Sequence, residues 1–179
     1  GDRFTLLEHG NLLEHPVARG LLEPSLIAFG ARILLTLRAE DCGGYWSEST
    51  DGLHFAPIRP WRFDDGTPLV TSTTQQHFLA FGNRLFLSYV RDAGYNAKVP
   101  RFRAPLFMAE VNPTTMELIA TSERIVFPVE GDLQHPETVA LSGNFMPVKL
   151  NDREWLILDG QGVVVKPFRS TIKIARLTL

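Results

Sequence analysis

Glu23, Arg38, Arg101 and Arg103 are the side chains whose types suit work on an acidic ligand. Arginine fits that task because its planar fork offers two parallel charge-assisted hydrogen bonds to a carboxylate, which lysine cannot match. Glu23 and Arg38, fifteen positions apart, also have a plainer use as an ion pair joining adjacent strands, where an exposed pair contributes little stability. Arg101 and Arg103 close the polar stretch Asp92 to Arg103, and solvated loop charge is the bland reading of both. His9, His15, His54, His77 and His135 share no spacing that suggests a metal site, so surface or turn positions are expected for them. Cys42 is the single cysteine, which leaves neither an internal disulfide nor a cysteine-based metal site. Asp64-Asp65-Gly66 reads as a turn, with a cation-binding loop as the alternative.

The elements that must position these groups are short strands. Apolar residues come in runs of four to eight bounded by Gly, Pro, Asn or Asp, the punctuation of strands rather than helices. Leu26–Phe29, Arg32–Leu37, Gly44–Ser47 and Phe55–Ile58 read as a four-stranded meander. A second runs through Gln76–Ala80, Arg84–Tyr89, Pro105–Val111 and Arg124–Phe127, and a third through Asn144–Lys149, Glu154–Asp159 and Thr171–Leu177. Blades are expected at 21–60, 74–128 and 140–179 of a single segment spanning 1–179. A period of about fifty residues favours a β-propeller over the rival β-sandwich. Thr114–Ala120 could begin a helix capped by Asn112, but is read as a wide turn and outer strand.

Ser49-Thr50-Asp51-Gly52-Leu53-His54-Phe55 has the pattern S-x-D-G-x-x-aromatic. In such a turn Ser and Asp side chains bond the backbone, Gly supplies a positive φ and the ring packs beneath, so Ser49, Asp51, Gly52 and Phe55 are expected to be structural. The segment resembles the Asp box of sialidases. Leu22-Glu23-Pro24-Ser25-Leu26, then Arg32 to Arg38, then the box, resembles the sialidase order of an E-P/N-S strand, a strand ending in Arg, and an Asp box. The resemblance is to the C-terminal half of the sialidase or neuraminidase-like (Asp-box, BNR repeat) propellers. It implies an all-β, partial propeller of about three four-stranded blades. Glu23 would assist a tyrosine nucleophile, and Arg38 and Arg103, with Arg101 close behind, would clamp a substrate carboxylate. It implies a carbohydrate ligand, no metal and no cofactor, and a secreted or periplasmic setting.

The same family also uses an F-R-I-P arginine, an aspartic acid as acid/base and a tyrosine nucleophile. This chain has no F-R-I-P, and none of Tyr45, Tyr89 and Tyr95 lies downstream of Arg103; Leu141–Met146 offers only Phe145 there. Two readings therefore stand side by side: an exo-sialidase-like glycosidase, and a non-catalytic glycan-binding or assembly propeller.

The 179 residues are 44% hydrophobic with a formal net charge of -2, a balance that disfavours nucleic acid and anionic membranes as partners. No apolar run approaches the roughly 20 residues needed to span a bilayer. Gly1-Asp2-Arg3-Phe4 lacks a signal pattern, which reads as a cytosolic chain or one whose leader has been removed. Three blades leave open sheet faces at the ends of the arc. A homodimer or a missing N-terminal half is expected to complete the ring.

Overall fold

The computed structural model describes residues 3–179. Gly1 and Asp2, part of the expected absence of a leader, lie outside them. Alternating apolar and polar residues between tight turns produce three antiparallel sheets. The first joins β1 (Leu21–Phe29), β2 (Arg32–Ala39), β3 (Gly44–Ser49) and β4 (Arg59–Pro60) in that order. The second contains β5 (His77–Phe81), β6 (Arg84–Tyr89), β7 (Leu106–Asn112), β8 (Glu117–Leu118) and β9 (Arg124–Phe127), with β9 pairing β7. In the third, β12 (Glu154–Val163) is flanked by β10 (Leu141–Ser142) and β11 (Met146–Asn151) on one path and paired with β13 (Arg169–Thr178) off it. Gly30 and Gly82 sit in the β1–β2 and β5–β6 turns at φ of 60° and 58°, where a side chain would be strained.

One expected strand takes another form, and the expected turn and outer strand after Asn112 are present. Phe55–Ile58 forms no strand, and the outer strand shrinks to two residues at Arg59–Pro60. The reason lies in Asn11, whose Nδ2 donates to the Phe55 carbonyl at 3.0 Å and whose Oδ1 accepts from the Phe55 N–H at 2.8 Å. Both backbone groups that a neighbouring strand would need are already used. Asn112 caps no helix; its Oδ1 accepts from Thr114 N at 2.9 Å in a turn, and the chain passes through Met116 at φ 58° into β8.

The sheets stack face to face. Leu34 and Trp46 of the first pack with Phe78, Leu85, Leu87, Phe107, Ala109 and Val111 of the second. Trp61 and Phe63, from the segment joining the two sheets, fill the same core. The opposite face of the second sheet, with Leu79, Phe81, Phe86 and Leu106, packs on Trp155 and Ile157 of β12. Period-two alternation lets one sheet bury both faces in this way. Among the strands, β1 packs beside β5 and β5 beside β11, so the leading strands of successive sheets stand next to one another along an axis. This is the relation between neighbouring propeller blades. On the far side of the third sheet, Met146, Val148, Leu150, Ile172 and Ile174 are exposed.

Buried polar groups tie the first two sheets together. Trp61 Nε1 donates to Thr36 Oγ1 at 3.0 Å, and Thr36 Oγ1 donates to Gln76 Oε1 at 3.0 Å. Trp155 Nε1 donates to the Ala80 carbonyl at 2.7 Å and joins the third sheet to the second.

Candidate functional site

The beginnings of β1, β5 and β11 gather at one end of the axis. Ser25 Oγ lies 3.0 Å from His77 Nδ1, and the His77 ring meets Phe145 edge-on with centroids 5.3 Å apart. Strand β2 ends at the same place, because Arg38 pairs with Leu22 of β1 and Gly44 of β3. On β12, Asp159 lies next to Leu158, the partner of Met146 at the start of β11.

Between Leu22 and Ser25 the β1–β2 register shifts, and Glu23 occupies this bulge at φ 49°. A left-handed conformation costs a non-glycine residue on the order of 1–2 kcal/mol, and bulges re-aim side chains. Here the re-aimed carboxylate meets Arg38: Nε donates to Oε2 at 2.7 Å and Nη2 to Oε1 at 2.8 Å. Arg38 is 7% exposed. The bidentate bond from Arg38, with the fields of Arg103 and His77 adding to it, holds the Glu23 carboxyl below the usual carboxylate range despite partial burial. Glu23 is thus ionised at neutral pH and has no proton to give a leaving group.

Arg103 lies close enough to feel Glu23, Arg38 and Asp159, and burial together with the neighbouring Arg101 pushes its guanidinium below the ordinary value. Asp159, 1% exposed, accepts from Gly143 N at 3.2 Å and Gln161 Nε2 at 3.0 Å. Burial lowers the His77 imidazole and the Glu23 field raises it, with burial the larger effect. Arg38 Nη1 and Arg103 Nε, both donors, the ring nitrogen His77 Nε2 and the acceptor Gln161 Oε1 are buried at this end without a hydrogen-bond partner among the described residues. Unpaired buried polar groups of this kind are costly, and several in one place mark a site rather than a core.

Glu23, Arg38 and Arg103 therefore come together. Arg101 is exposed, in a turn at φ 53°, beside Arg103 rather than within the buried cluster. Ser49, Asp51, Gly52 and Phe55 lie at the opposite end of the first sheet, because Ser49 pairs with Ile33 beside the β1–β2 turn. Ser49 Oγ accepts from Gly52 N at 2.9 Å, Asp51 Oδ1 accepts from Leu53 N and His54 N at 2.8 Å, and Gly52 has φ 78°. Phe55 is half-buried. Distance and bonding make these four residues part of a turn, away from the arginines.

Two of the three tyrosines have engaged phenols. Tyr89 is fully buried and donates to Glu123 Oε1 at 2.7 Å, and burial pushes its phenol well up. Tyr45 donates to Asp41 Oδ2, and burial followed by that bond pushes it up to about 12. His77 lies in the cluster and not at the surface position expected of it. Its one sequence signal was its place at the start of the second meander, matching that of Glu23 in the first. Asp159 and Gln161 had no signal beyond strand-end position, whereas Phe145 stood in the segment where the resemblance expects a tyrosine. Among the described residues no group of three or more His, Cys, Asp or Glu is placed to hold a metal ion.

No family model matches the chain, and no curated protein matches it in sequence. Solved structures do. A protein of unknown function from Dyadobacter fermentans DSM 18053 superposes with a TM-score of 0.56 at 16% identity, over 89% of this chain and 38% of that one. A GH43_12 protein retrieved from a capybara gut metagenome gives 0.57 at 9% identity, over 87% of this chain and 28% of its own. What the superpositions define is the fold: all-β, with three antiparallel sheets, shared with these two solved structures. This chain spans 38% and 28% of the length of these two structures. At such identities the likeness concerns architecture, and function must come from the site.

Proposed function

We propose that this chain is the sugar-recognising part of a glycoside-hydrolase-type propeller and that it holds an acidic sugar by its carboxylate through Arg38 and Arg103, with Arg101 at the rim. The observation that carries this reading is the pair of buried, unpartnered guanidinium donors on Arg38 and Arg103, beside the unpartnered ring nitrogen of His77, around one end of the axis. A carboxylate accepts several such bonds at once, and planar guanidinium groups suit it. The fold likeness to a GH43_12 protein supports sugar as the ligand class.

Glu23 serves in this reading to orient Arg38, since both of its oxygens are occupied by that guanidinium. Binding without hydrolysis is favoured over a sialidase-type mechanism within this chain, because the Tyr89 phenol is buried on Glu123 and both oxygens of Glu23 are engaged by Arg38. A further sheet of a longer polypeptide, or a second copy, covers the apolar face of Met146, Val148, Ile172 and Ile174.

The test is calorimetric titration with N-acetylneuraminic acid, glucuronic acid and galacturonic acid against glucose and galactose. Binding of at least one acid, none of the neutral sugars, and loss in Arg38→Met and Arg103→Met are expected. Equal binding of acids and neutral sugars overturns the carboxylate role.

A further inference from the structure

A cleft of about 400 Å3 opens beside Arg103, at the outer edge of the third sheet. This size is ordinary for a small-ligand site. Arg103 belongs both to this cleft and to the cluster around Glu23, so the two spaces adjoin. The floor is backbone, with Gly160 and Gly162 of β12 contributing no side chain. The turn between β12 and β13 supplies the far wall: Val164 and Phe168, 56% and 71% exposed, followed by Arg169. No carboxylate is among the lining residues described.

Those features define a ligand. An exposed aromatic face suits the apolar face of a sugar ring, a bare backbone floor admits a ring's thickness, and a second guanidinium without a lining carboxylate calls for a second negative charge. We infer that this cleft is a second subsite, taking the neighbouring acidic residue of an oligouronide whose first carboxylate sits at Arg38 and Arg103. The inference rests on the acidic-sugar reading and extends it from a single residue to a chain of them. Phe168 lies under the second ring and Arg169 meets its carboxylate, with Arg103 between the two subsites.

The glycines make the cleft testable without breaking the fold. A Cβ at Gly160 would have its nearest neighbour, Ile172 Cδ1, at 3.8 Å, and one at Gly162 would lie 3.6 Å from the Arg169 carbonyl, both ordinary contacts. Gly160→Val therefore narrows the cleft from its floor, with no close contact at its Cβ.

Titration compares galacturonic acid with digalacturonic acid on the wild type, Gly160→Val, Phe168→Ala and Arg169→Ala. The wild type is expected to bind the dimer about tenfold tighter. Each variant is expected to erase that gain and keep the affinity for the monomer. Equal affinity of the wild type for both sugars, or a gain that survives in the variants, overturns the second subsite while leaving the first. Absence of binding by either sugar, where N-acetylneuraminic acid still binds, rejects the oligouronide but keeps the carboxylate site. Failure of every acidic sugar rejects both. Should Gly160→Val not fold, Phe168→Ala and Arg169→Ala, both at exposed positions, decide the matter.

Discussion

Glu23 reaches Arg38 through two parallel hydrogen bonds of 2.7 and 2.8 Å, from a strand bulge that puts its backbone at φ 49°. The arginine is nearly sealed from water, whereas 42% of the Glu23 side chain is open to it. Solvent screens part of the attraction, yet the glutamate is the only carboxylate bonded to this buried cation among the described residues.

Glu23→Ala should cost about 1–2 kcal/mol, less than a fully buried pair would because of the carboxylate's exposure. Glu23→Gln should cost less, since the amide oxygen still accepts one bond. The folded-state pKa of Glu23 is lowered, so its contribution is present above the ordinary carboxylate value and is lost as pH falls through the lowered one. Chemical denaturation from pH 7 down to 3 should show the wild type and Glu23→Gln converging only at the acid end.

Arg103 has a buried Nε with no partner, which makes it a cost to the folded chain. Arg103→Met is expected to leave the melting temperature unchanged or raised, while affinity for the acidic sugar falls about thirtyfold, or ~2 kcal/mol. A residue kept only for structure would lower the melting temperature instead. Calorimetry and thermal melts on one sample separate the two.

The turn at Ser49–His54 should behave in the opposite way. Backbone and side-chain bonds from His54 and its neighbours hold the Asp51 carboxyl far below its usual range. Asp51→Ala and Ser49→Ala should each lower the melting temperature and leave sugar affinity unchanged. Circular dichroism melts with matched titrations check both statements. Loss of binding by a correctly folded Asp51→Ala would count against a purely structural turn.

Gly44 allows the first two sheets to close on each other. A Cβ there would lie 2.5 Å from Gln76 Nε2, inside the network that links Thr36, Gln76 and Trp61. Gly44→Ala should destabilise by about 1–3 kcal/mol through overpacking. Thr36→Val, which deprives the Trp61 N–H of its acceptor, should cost a similar ~1–3 kcal/mol. Urea titrations followed by tryptophan fluorescence measure both.

Charging the exposed outer face of the third sheet tests what covers it. Ile172 and Ile174 are 71% and 61% exposed, and an apolar face of this kind drives association. The Ile172→Asp, Ile174→Asp double variant should shift sedimentation of this chain toward the monomer with little change in its own melting temperature. A wild type already monomeric at high concentration would remove the second copy from consideration.

Strand positions and turns were legible in the amino-acid order because they depend on neighbours: alternation sets which residues face a core, and Gly30 and Gly82 permit the turns between strands. The Glu23–Arg38 contact was legible for the same reason, since one hairpin joins them. Partnership across sheets was not. His77, Phe145 and Asp159 come to the end of the axis that holds Glu23 only because three sheets stack with their leading strands side by side, and that stacking is set by buried surfaces far apart in the chain. The outer strand at Phe55–Ile58 was misplaced on the same account. A side chain forty-four positions away, Asn11, took the bonds a strand partner would have made. Local periodicity thus settled the elements, and long-range packing decided which of their ends meet.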